Sequence, residues 1–568
     1  MITLVLSSNM KRLLNKKVLV RKLVGIETSG SLNILFTDKT GTLTEGKLSV
    51  DSFINASLDE YKNYNDININ REIIYQSIVY NNDAFYNDLE CVGGNTTDRA
   101  ILSFVGTDSR NKYKILGKEG FNSKLKYSSV TTNYENKTTF YKGAYEIILD
   151  KCNKYLTNDG IERVLIEKEK IKKYIDNKMS SGMRVLSLSY SKDNKNFVLI
   201  GFICLKDNIR KEAFEGINTI KSSGVLICML TGDHKNTAIS VAKELKIINS
   251  SNDIVLTSEE FNNMTDIEVK RIIPRLKVLS RCLPNDKNRL VSLALEENLV
   301  VGMTGDGVND APALKKASVG FSMGSGTEIA KYSSDIVILD DNIKSISNAI
   351  LYGRTIFKSI RKFVIFQLSV NLCAVLLSVI GPFIGILSPI TVIQVLWVNM
   401  VMDTFAGLAF SFEKPDIKYM EEPPKKKDEK IINKYMINQI VCDGLYSLIM
   451  CIWFLKSPLI ISIYGSEKYL MTAFFGLFIF IDIFIAFNSR TQRINTIGDI
   501  LKNKIFLLIF LFITIVQIIL IYYGGELFRT TGLSLYEFEI MILVAFSVVP
   551  FDVFRKILLN KKGLDRSV

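Results

Sequence analysis

The sequence predicts a multidomain protein in which a soluble α/β part is followed by a bundle of transmembrane α-helices. The chain has 568 residues, which corresponds to about three to five domains of ordinary size. Its mean hydropathy of +0.18 is high for a chain with many charged residues, and the apolar runs are concentrated in its second part. The run 505–523 contains one Gln and no charged residue, so it is suited to cross a bilayer as a helix.

The soluble part shows the pattern of a parallel sheet with crossover helices. From Phe197 onward, short apolar segments alternate with helical patterns, which is typical of βαβ units. The earlier segment Leu32–Phe36 has the same apolar character, and the region between the two mixes short strands with polar helices. We therefore expect a sheet that begins near residue 30, is interrupted by an inserted domain, and continues near residue 200.

Six membrane spans are predicted in the second part of the chain. They cover residues 360–387, 390–411, 436–455, 470–487, 505–523 and 537–556. Basic clusters lie in every second loop and in the C-terminal tail, whereas the alternate loops carry few positive charges. The positive-inside rule then places the soluble part and the C-terminal tail in the cytoplasm.

The composition excludes several classes of protein. Lys and Arg number 71 and Asp and Glu 58, and this net charge of +13 could by itself indicate nucleic-acid binding. The apolar runs favour a membrane protein instead, and no nucleic-acid partner is expected. The eight cysteines form no C-x-x-C pair, which argues against a disulfide framework or a zinc site. His234 is the only histidine, so catalytic triads and metal sites built on several histidines are excluded.

Asp38 is the candidate nucleophile. It opens the heptad DKTGTLT, residues 38–44, directly after the predicted strand Leu32–Phe36. Ligands bind at the carboxyl ends of strands in a doubly wound sheet, and an Asp there can attack phosphorus to form an aspartyl phosphate. A DKTG sequence alone also fits a polar turn, but the complete heptad favours the catalytic interpretation.

Three more polar segments follow strands of the same predicted sheet. TGD at 231–233 offers a hydroxyl and backbone N–H groups, Lys287 offers an ammonium group, and TGDGVND at 304–310 offers two carboxylates beside glycines. A phosphoryl group in transfer spreads negative charge over its oxygens, so such groups would stabilise it. TGD or Lys287 alone is a weak signal, but their joint occurrence in this order is a strong one.

A magnesium site is predicted at the same edge of the sheet. Mg²⁺ prefers hard oxygen ligands and keeps several of its waters. Asp38, Asp306 and the backbone carbonyl of Thr40 can supply such oxygens.

The segments DKTGTLT, TGD and TGDGVNDAPALK are similar to the signature motifs of P-type cation-transporting ATPases, and the similarity extends over essentially the whole chain. The resemblance implies a haloacid-dehalogenase-like, doubly wound phosphorylation domain with an inserted α+β nucleotide-binding domain, followed by six transmembrane helices. It implies catalytic roles for Asp38, Lys287, Thr231 and Asp306, and a Mg²⁺ site made of Asp38, Thr40, Asp306 and Asp310. The implied domains are the end of a fourth transmembrane helix with its stalk (1–24), the phosphorylation domain (25–47 and 201–350), the nucleotide-binding domain (48–200) and the transmembrane domain (351–568).

The same resemblance implies an ATP site in the inserted domain. GNTTDRA at 94–100 and KGA at 142–144 are similar to the segments that contact nucleotide in the family. Phe121 matches the aromatic residue that stacks on adenine, although a lone Phe is more often a core residue. The implied nucleotide-binding residues are Thr97, Asp98, Phe121, Lys126, Lys142, Gly143, Arg184, Thr231, Gly232, Asp233 and Arg281.

Asp403 is the candidate ion ligand in the membrane, because an ionisable residue inside a span is costly and marks a functional site by default. Asn399 precedes it by four residues and is expected on the same helix face, and Asn371 in the preceding span offers another oxygen. Hydrogen bonding between helices is the alternative role for each. Carboxylate and amide oxygens suit a hard cation such as Ca²⁺, with Mn²⁺ or a monovalent cation as alternatives. The segment VNMVMD resembles the plasma-membrane-type calcium pumps.

The resemblance also implies parts that are absent from this sequence. The family has an actuator domain with a TGES motif and a span with a PEGL motif, and neither motif occurs here. We therefore expect a truncated chain of a cell-membrane pump, with the N-terminal half as a partner if it is encoded separately. Two competing interpretations are a phosphatase of the same fold fused to membrane helices and an inactive membrane-anchored fragment. The nucleotide-binding motifs argue against the phosphatase, which needs none.

Overall fold

A computed structural model describes residues 2–87, 90–122, 125–386, 389–425, 429–491 and 503–561. Within these residues the chain forms two large sheets with their helices and a set of long apolar helices. A helix at Ile2–Asn15 precedes the first sheet.

The first sheet has eight strands and supports the catalytic motifs. From one edge to the other, they are Val18–Val20, Ile336–Ile338, Val319–Met323, Val301–Gly305, Ile34–Asp38, Leu226–Leu230, Leu276–Ser280 and Ile254–Thr257. Only the edge strand Val18–Val20 is antiparallel to its neighbour. The other strands read as nearly continuous apolar runs because helices cover both faces of the sheet. These helices are Leu23–Gly30, Lys211–Ser222, Lys235–Glu244, Ser258–Asn262, Asp266–Ile272, Pro284–Glu296, Ala311–Lys316 and Glu328–Ser333.

Strand Ile34–Asp38 lies in the middle of this sheet, between two strands that come from beyond residue 200. It pairs in parallel with Leu226–Leu230 on one side and with Val301–Gly305 on the other. The carboxyl ends of these strands therefore meet at one edge, and the polar segments that follow them are brought together.

The second sheet contains nine strands and belongs to the inserted region. Its main path runs through Glu162–Val164, Cys152–Leu156, Phe197–Ile209, Arg184–Ser191, Thr138–Ala144, Tyr127–Thr132 and Ile115–Asn122, and Thr44–Asn55 and Glu60–Tyr61 complete it. Its helices are Arg71–Tyr75, Thr96–Val105, Tyr145–Lys151 and Lys168–Ser180, and a hairpin of Ala84–Asn87 and Glu90–Gly93 lies beside them. The strands Thr44–Asn55 and Phe197–Ile209 pair antiparallel and connect this region to the first sheet.

Five helices among the described residues are long and apolar enough to cross a membrane. They span Ile343–Ile384, Val392–Ser411, Lys434–Lys456, Glu467–Arg490 and Lys504–Tyr523. The helix Ile343–Ile380 is 38 residues long, so it continues well beyond the predicted span into the soluble part. There it packs closely on the helix Leu23–Gly30, since a Cβ atom on Gly30 would lie 2.4 Å from the backbone of Gly353.

The sixth predicted span, 537–556, is not one continuous helix. It forms Leu535–Phe546 and Val548–Lys561, with a break at Ser547. Pro550 explains the break, because its ring lacks an N–H group and clashes with the carbonyl four residues earlier, that of Phe546. The six-span count therefore stays a prediction.

Candidate functional site

Asp38 ends the central strand of the first sheet. Its backbone N–H donates to Thr304 Oγ1 at 2.9 Å, which joins it to the neighbouring strand Val301–Gly305. Burial raises the pKa of the Asp38 carboxyl to about 6, and the positive charge of Lys287 limits this increase. The carboxyl group is therefore partly desolvated and lies at the strand edge beside a cation.

Lys287 lies beside Asp38 in the first turn of the helix Pro284–Glu296. Its Nζ is 3.1 Å from Asp38 Oδ1 and 2.7 Å from Asp310 Oδ1. Burial alone would lower the pKa of the Lys287 ammonium, but the charges of Asp38 and Asp310 outweigh burial and raise it above its ordinary value. Lys287 thus stays charged and places one cation between two carboxylates.

Asp38, Asp306 and Asp310 form a compact acidic group, with one oxygen of each within 4.8 Å of the others. Asp310 Oδ2 accepts from the backbone N–H groups of residues 306 and 307 at 3.3 Å, so this carboxylate also holds the loop. A Cβ atom on Gly305 would lie 2.4 Å from Asp310 Cβ, which explains the glycine there. Burial raises the pKa of the half-buried Asp306 carboxyl. This set of hard oxygens fits Mg²⁺.

The segment Thr231–Asp233 lies at the same edge. Thr231 Oγ1 accepts from the backbone N–H of Asp233 at 3.1 Å, and the Asp233 carbonyl accepts from the backbone N–H of Arg281 at 2.9 Å. The side chain of Asp233 pairs with Lys39 Nζ at 2.5 Å. A Cβ atom on Gly232 would meet nothing within 4 Å, which leaves open space for a ligand beside this backbone. Thr40 is exposed at the start of the adjacent loop.

Two residues outside the predicted set hold the loop that follows Asp38. Asp207 accepts from Thr44 Oγ1 at 2.7 Å and from the backbone N–H of Gly46 at 3.1 Å. Arg210 donates to the carbonyls of Thr44 and Gly41 at 3.1 and 3.3 Å. Asp207 and Arg210 therefore affect the site through the conformation of this loop.

The inserted domain contains a cavity of about 250 Å³ at the predicted nucleotide site. The side chain of Phe121 is 61% exposed, so its ring is available to a ligand and is not a core residue. The residues lining the cavity are Asn81, Asn82, Asp83, Asn95, Thr96, Thr97, Asp98, Lys118, Glu119, Gly120, Phe121, Ser128, Lys142, Gly143, Arg184 and Leu186.

A buried ion pair forms part of this cavity. Lys142 Nζ lies 2.6 Å from Asp98 Oδ1 and 2.6 Å from the carbonyl of Asn81. Burial lowers the pKa of the Lys142 ammonium, and the charge of Asp98 opposes that effect. The backbone of Lys126 contacts the KGA segment, residues 142–144. Its carbonyl accepts from the backbone N–H of Ala144 at 2.9 Å, and a Cβ atom on Gly143 would lie 2.4 Å from the same carbonyl oxygen. Its side chain is not among those that line the cavity.

A second cavity of about 250 Å³ lies between the nucleotide cavity and the catalytic edge. Its lining includes Lys39 and Asp233 from the catalytic loops and Arg184 from the second sheet. Arg184 lines both cavities, so it connects the two predicted sites.

In the membrane part, Asp403 is buried and its nearest polar partner is a residue that sequence analysis missed. Gln367 Nε2 donates to Asp403 Oδ2 at 2.5 Å, whereas Asn371 is half-buried one helical turn further along. Asn399, four residues before Asp403, is exposed, and its place in the ion site stays a prediction. Residues Trp397–Met402 form a π-turn with i→i+5 hydrogen bonds, which widens the helix directly before Asp403. In the sequence, the only feature that indicated a role for Gln367 was its polar side chain within an apolar run.

Comparisons with known proteins give matches in both parts of the chain. A family model described as "P-type ATPase, cytoplasmic domain N" matches residues 70–212, and one described as "Cation transporting ATPase, C-terminus" matches residues 387–558. The chain belongs to the P-type ATPase family. The first match contains the nucleotide cavity, and the second contains Asp403.

The relatives of this P-type ATPase include named calcium pumps of plants. It is 33% identical over 577 residues to the putative calcium-transporting ATPase 11, plasma membrane-type, of Arabidopsis thaliana, covering 96% of this chain and 56% of the relative. It is 35% identical over 573 residues to the probable calcium-transporting ATPase 9, plasma membrane-type, of Oryza sativa subsp. japonica, covering 94% and 55%. The chain therefore spans a little over half the length of these relatives.

Proposed function

We propose that this chain carries the ATP-binding, phosphorylation and ion-binding parts of an ATP-driven calcium pump of the cell membrane. The observation that carries the proposal is the cluster at the sheet edge, where a partly buried Asp38 contacts the Lys287 ammonium beside two further carboxylates. The names of the relatives favour a calcium pump over a phosphatase fused to membrane helices.

Asp38 is the nucleophile in this proposal. One of its carboxylate oxygens attacks the γ-phosphorus of ATP, the bond from that phosphorus to the bridging oxygen breaks, and ADP leaves with the electron pair. Lys287, the Thr231 hydroxyl and the backbone N–H of Gly232 stabilise negative charge on the transferring group. Asp38, Asp306, Asp310 and the Thr40 carbonyl would hold Mg²⁺, which would supply additional charge neutralisation when bound. Asp310 positions Lys287 through the 2.7 Å contact.

ATP binds with its adenine in the cavity of the inserted domain and its phosphates toward the sheet edge. Phe121 supplies an exposed ring for stacking. Arg184 lines both cavities and reaches the phosphates, while Asp98 and Lys142 shape the wall of the adenine cavity.

The transported ion is Ca²⁺, bound in the membrane part at Asp403 with Asn371 and Asn399 as further oxygen ligands. Oxygen ligands of this kind suit a hard divalent cation. Asn399 is exposed, Asn371 is half-buried and Asp403 is buried, so Asn399 is the least enclosed of the three ligands. The soluble domains lie in the cytoplasm, and six spans cross the membrane.

Phosphorylation of the chain tests this function. The protein in native-like membranes is incubated with γ-³²P-ATP, Mg²⁺ and Ca²⁺ and then quenched in acid. We expect acid-stable, hydroxylamine-labile label that is lost in Asp38→Asn and kept in Asp159→Asn, an exposed position in the inserted region. Label that persists in Asp38→Asn would refute the assignment of the nucleophile, and label independent of Ca²⁺ would refute the assignment of the ion.

A further inference from the structure

We infer that Gln367 completes the ion site at Asp403, holding the carboxylate with its amide nitrogen and offering its amide oxygen as a second ligand. The inference rests on the proposed function, because it concerns the same ion and the same aspartate. It adds a residue that neither the sequence motifs nor the comparisons assign to that site.

The contact itself is specific. Gln367 Nε2 donates to Asp403 Oδ2 at 2.5 Å, and this bond joins the helix Ile343–Ile380 to the helix Asp403–Ser411. A hydrogen bond to a charged acceptor is stronger than one between neutral groups. It fixes the carboxylate plane and leaves its other oxygen in a defined direction.

The remaining oxygen atoms of the two side chains lack partners. Gln367 Oε1 and Asp403 Oδ1 are both buried without a hydrogen-bond partner in the described part of the protein. Buried polar atoms are nearly always paired, so two unsatisfied acceptors in contacting groups require an explanation. Two acceptors cannot satisfy each other, whereas a cation satisfies both. The pair thus offers one carboxylate and one amide oxygen, which is the ligand chemistry of a hard cation such as Ca²⁺.

The backbone also supports this assignment. The helix is regular around Gln367, so Gln367 and Asn371 are one turn apart on one face. Asn371 therefore extends the same row of amide groups. Asn399 by contrast is exposed, within the π-turn Trp397–Met402. The two amide groups on the long helix can serve Asp403 without any change in backbone.

Equilibrium binding of ⁴⁵Ca²⁺ to the purified full chain in lipid nanodiscs tests the inference. In Gln367→Met the side chain keeps its length but loses both polar atoms, and we expect about ten- to hundredfold weaker binding, the range for losing a hydrogen-bonded partner of a charged group. Thr404→Val is the matched control, since Thr404 is next to Asp403 and is exposed, and among the described residues its hydroxyl donates only to the carbonyl of Met400. We expect it to bind like the wild type.

Two more variants separate a ligand from a packing residue. Gln367→Glu keeps an oxygen ligand but puts two carboxylates in contact, so it should bind Ca²⁺ more tightly than Gln367→Met. A residue that only packs would give the opposite order, because the added charge would disturb the site. If Gln367→Met does not fold, as judged by its size-exclusion profile and its ATP binding, Gln367→Asn replaces it, since the shorter amide cannot reach Asp403 and should also weaken binding.

The outcomes are distinct. Unchanged affinity in Gln367→Met, or in Gln367→Asn when that variant replaces it, overturns the inference alone. Binding that is equal in wild type and Asp403→Asn, or absent from a wild-type chain that is phosphorylated normally, overturns the proposed ion site and the inference with it. Weak binding in Gln367→Met, partial recovery in Gln367→Glu and normal binding in Thr404→Val support the inference.

Discussion

Replacing Lys142 by methionine would leave a buried carboxylate in the nucleotide cavity without its counter-ion. The side chains of Lys142 and Asp98 are only 8% and 7% exposed, and their charged atoms are 2.6 Å apart. Removing one member of a buried pair costs about 3–5 kcal/mol, because the remaining charge is desolvated without compensation. Lys142→Met should therefore destabilise the inserted domain by about that amount.

Hydrogen–deuterium exchange on the full chain measures this effect locally. A loss of 3–5 kcal/mol lowers the protection of the most stable amides by about two to nearly four orders of magnitude, since about 1.4 kcal/mol is tenfold. We expect the loss in peptides from the helix Thr96–Val105 and the strand Thr138–Ala144, which carry the two residues. The control is Lys170→Met, because the pair of Lys170 and Glu167 is exposed and removing it should change protection little.

A double variant decides whether the ion pair is the cause. Lys142→Met combined with Asp98→Leu places two apolar side chains in the same space, and such replacements of buried pairs are often neutral or stabilising. We expect the double variant to be clearly more protected than Lys142→Met alone. Protection losses that simply add in the double variant would refute the ion-pair explanation.

Three further outcomes follow from the catalytic and nucleotide sites. Phosphorylation should become about tenfold faster as pH rises from 5 to 7, because burial raises the pKa of Asp38 to about 6 and only the ionised form attacks. A rate that does not change with pH would contradict this. Lys287→Met should reduce the phosphorylation rate by at least about a hundredfold. It should also move the midpoint of the pH profile upward, because the ammonium group that favours ionised Asp38 is gone. Quench-flow labelling over a pH series measures both effects. Phe121→Ala should weaken ATP binding by about 5- to 150-fold, because the ring no longer stacks on the base. Leu116→Ala should leave ATP binding unchanged, since Leu116 is exposed on the same strand. Equal effects of the two variants in an ATP titration would show that the Phe121 ring does not stack on the nucleotide.

The sequence by itself indicated the catalytic edge, because parallel strands place their carboxyl ends together. The segments at Asp38, Thr231 and Thr304–Asp310 each follow a short apolar run, and periodicity is enough to identify such runs as buried strands. The structure places these segments beside one another, with Lys287 between two carboxylates. The apolar runs likewise indicated the membrane helices, because hydropathy is a local property.

The contacts that depend on packing between distant segments were decided only by the tertiary structure. Lys142 pairs with Asp98, 44 residues away, and Gln367 pairs with Asp403, 36 residues away, and no local pattern specifies either partner. Asp403 is buried and Asn399 is exposed, although the two are four residues apart, because burial depends on what packs against each side chain. Side-chain spacing gives the face of an element only when its helical period is regular, and the identity of a partner depends on how whole elements pack.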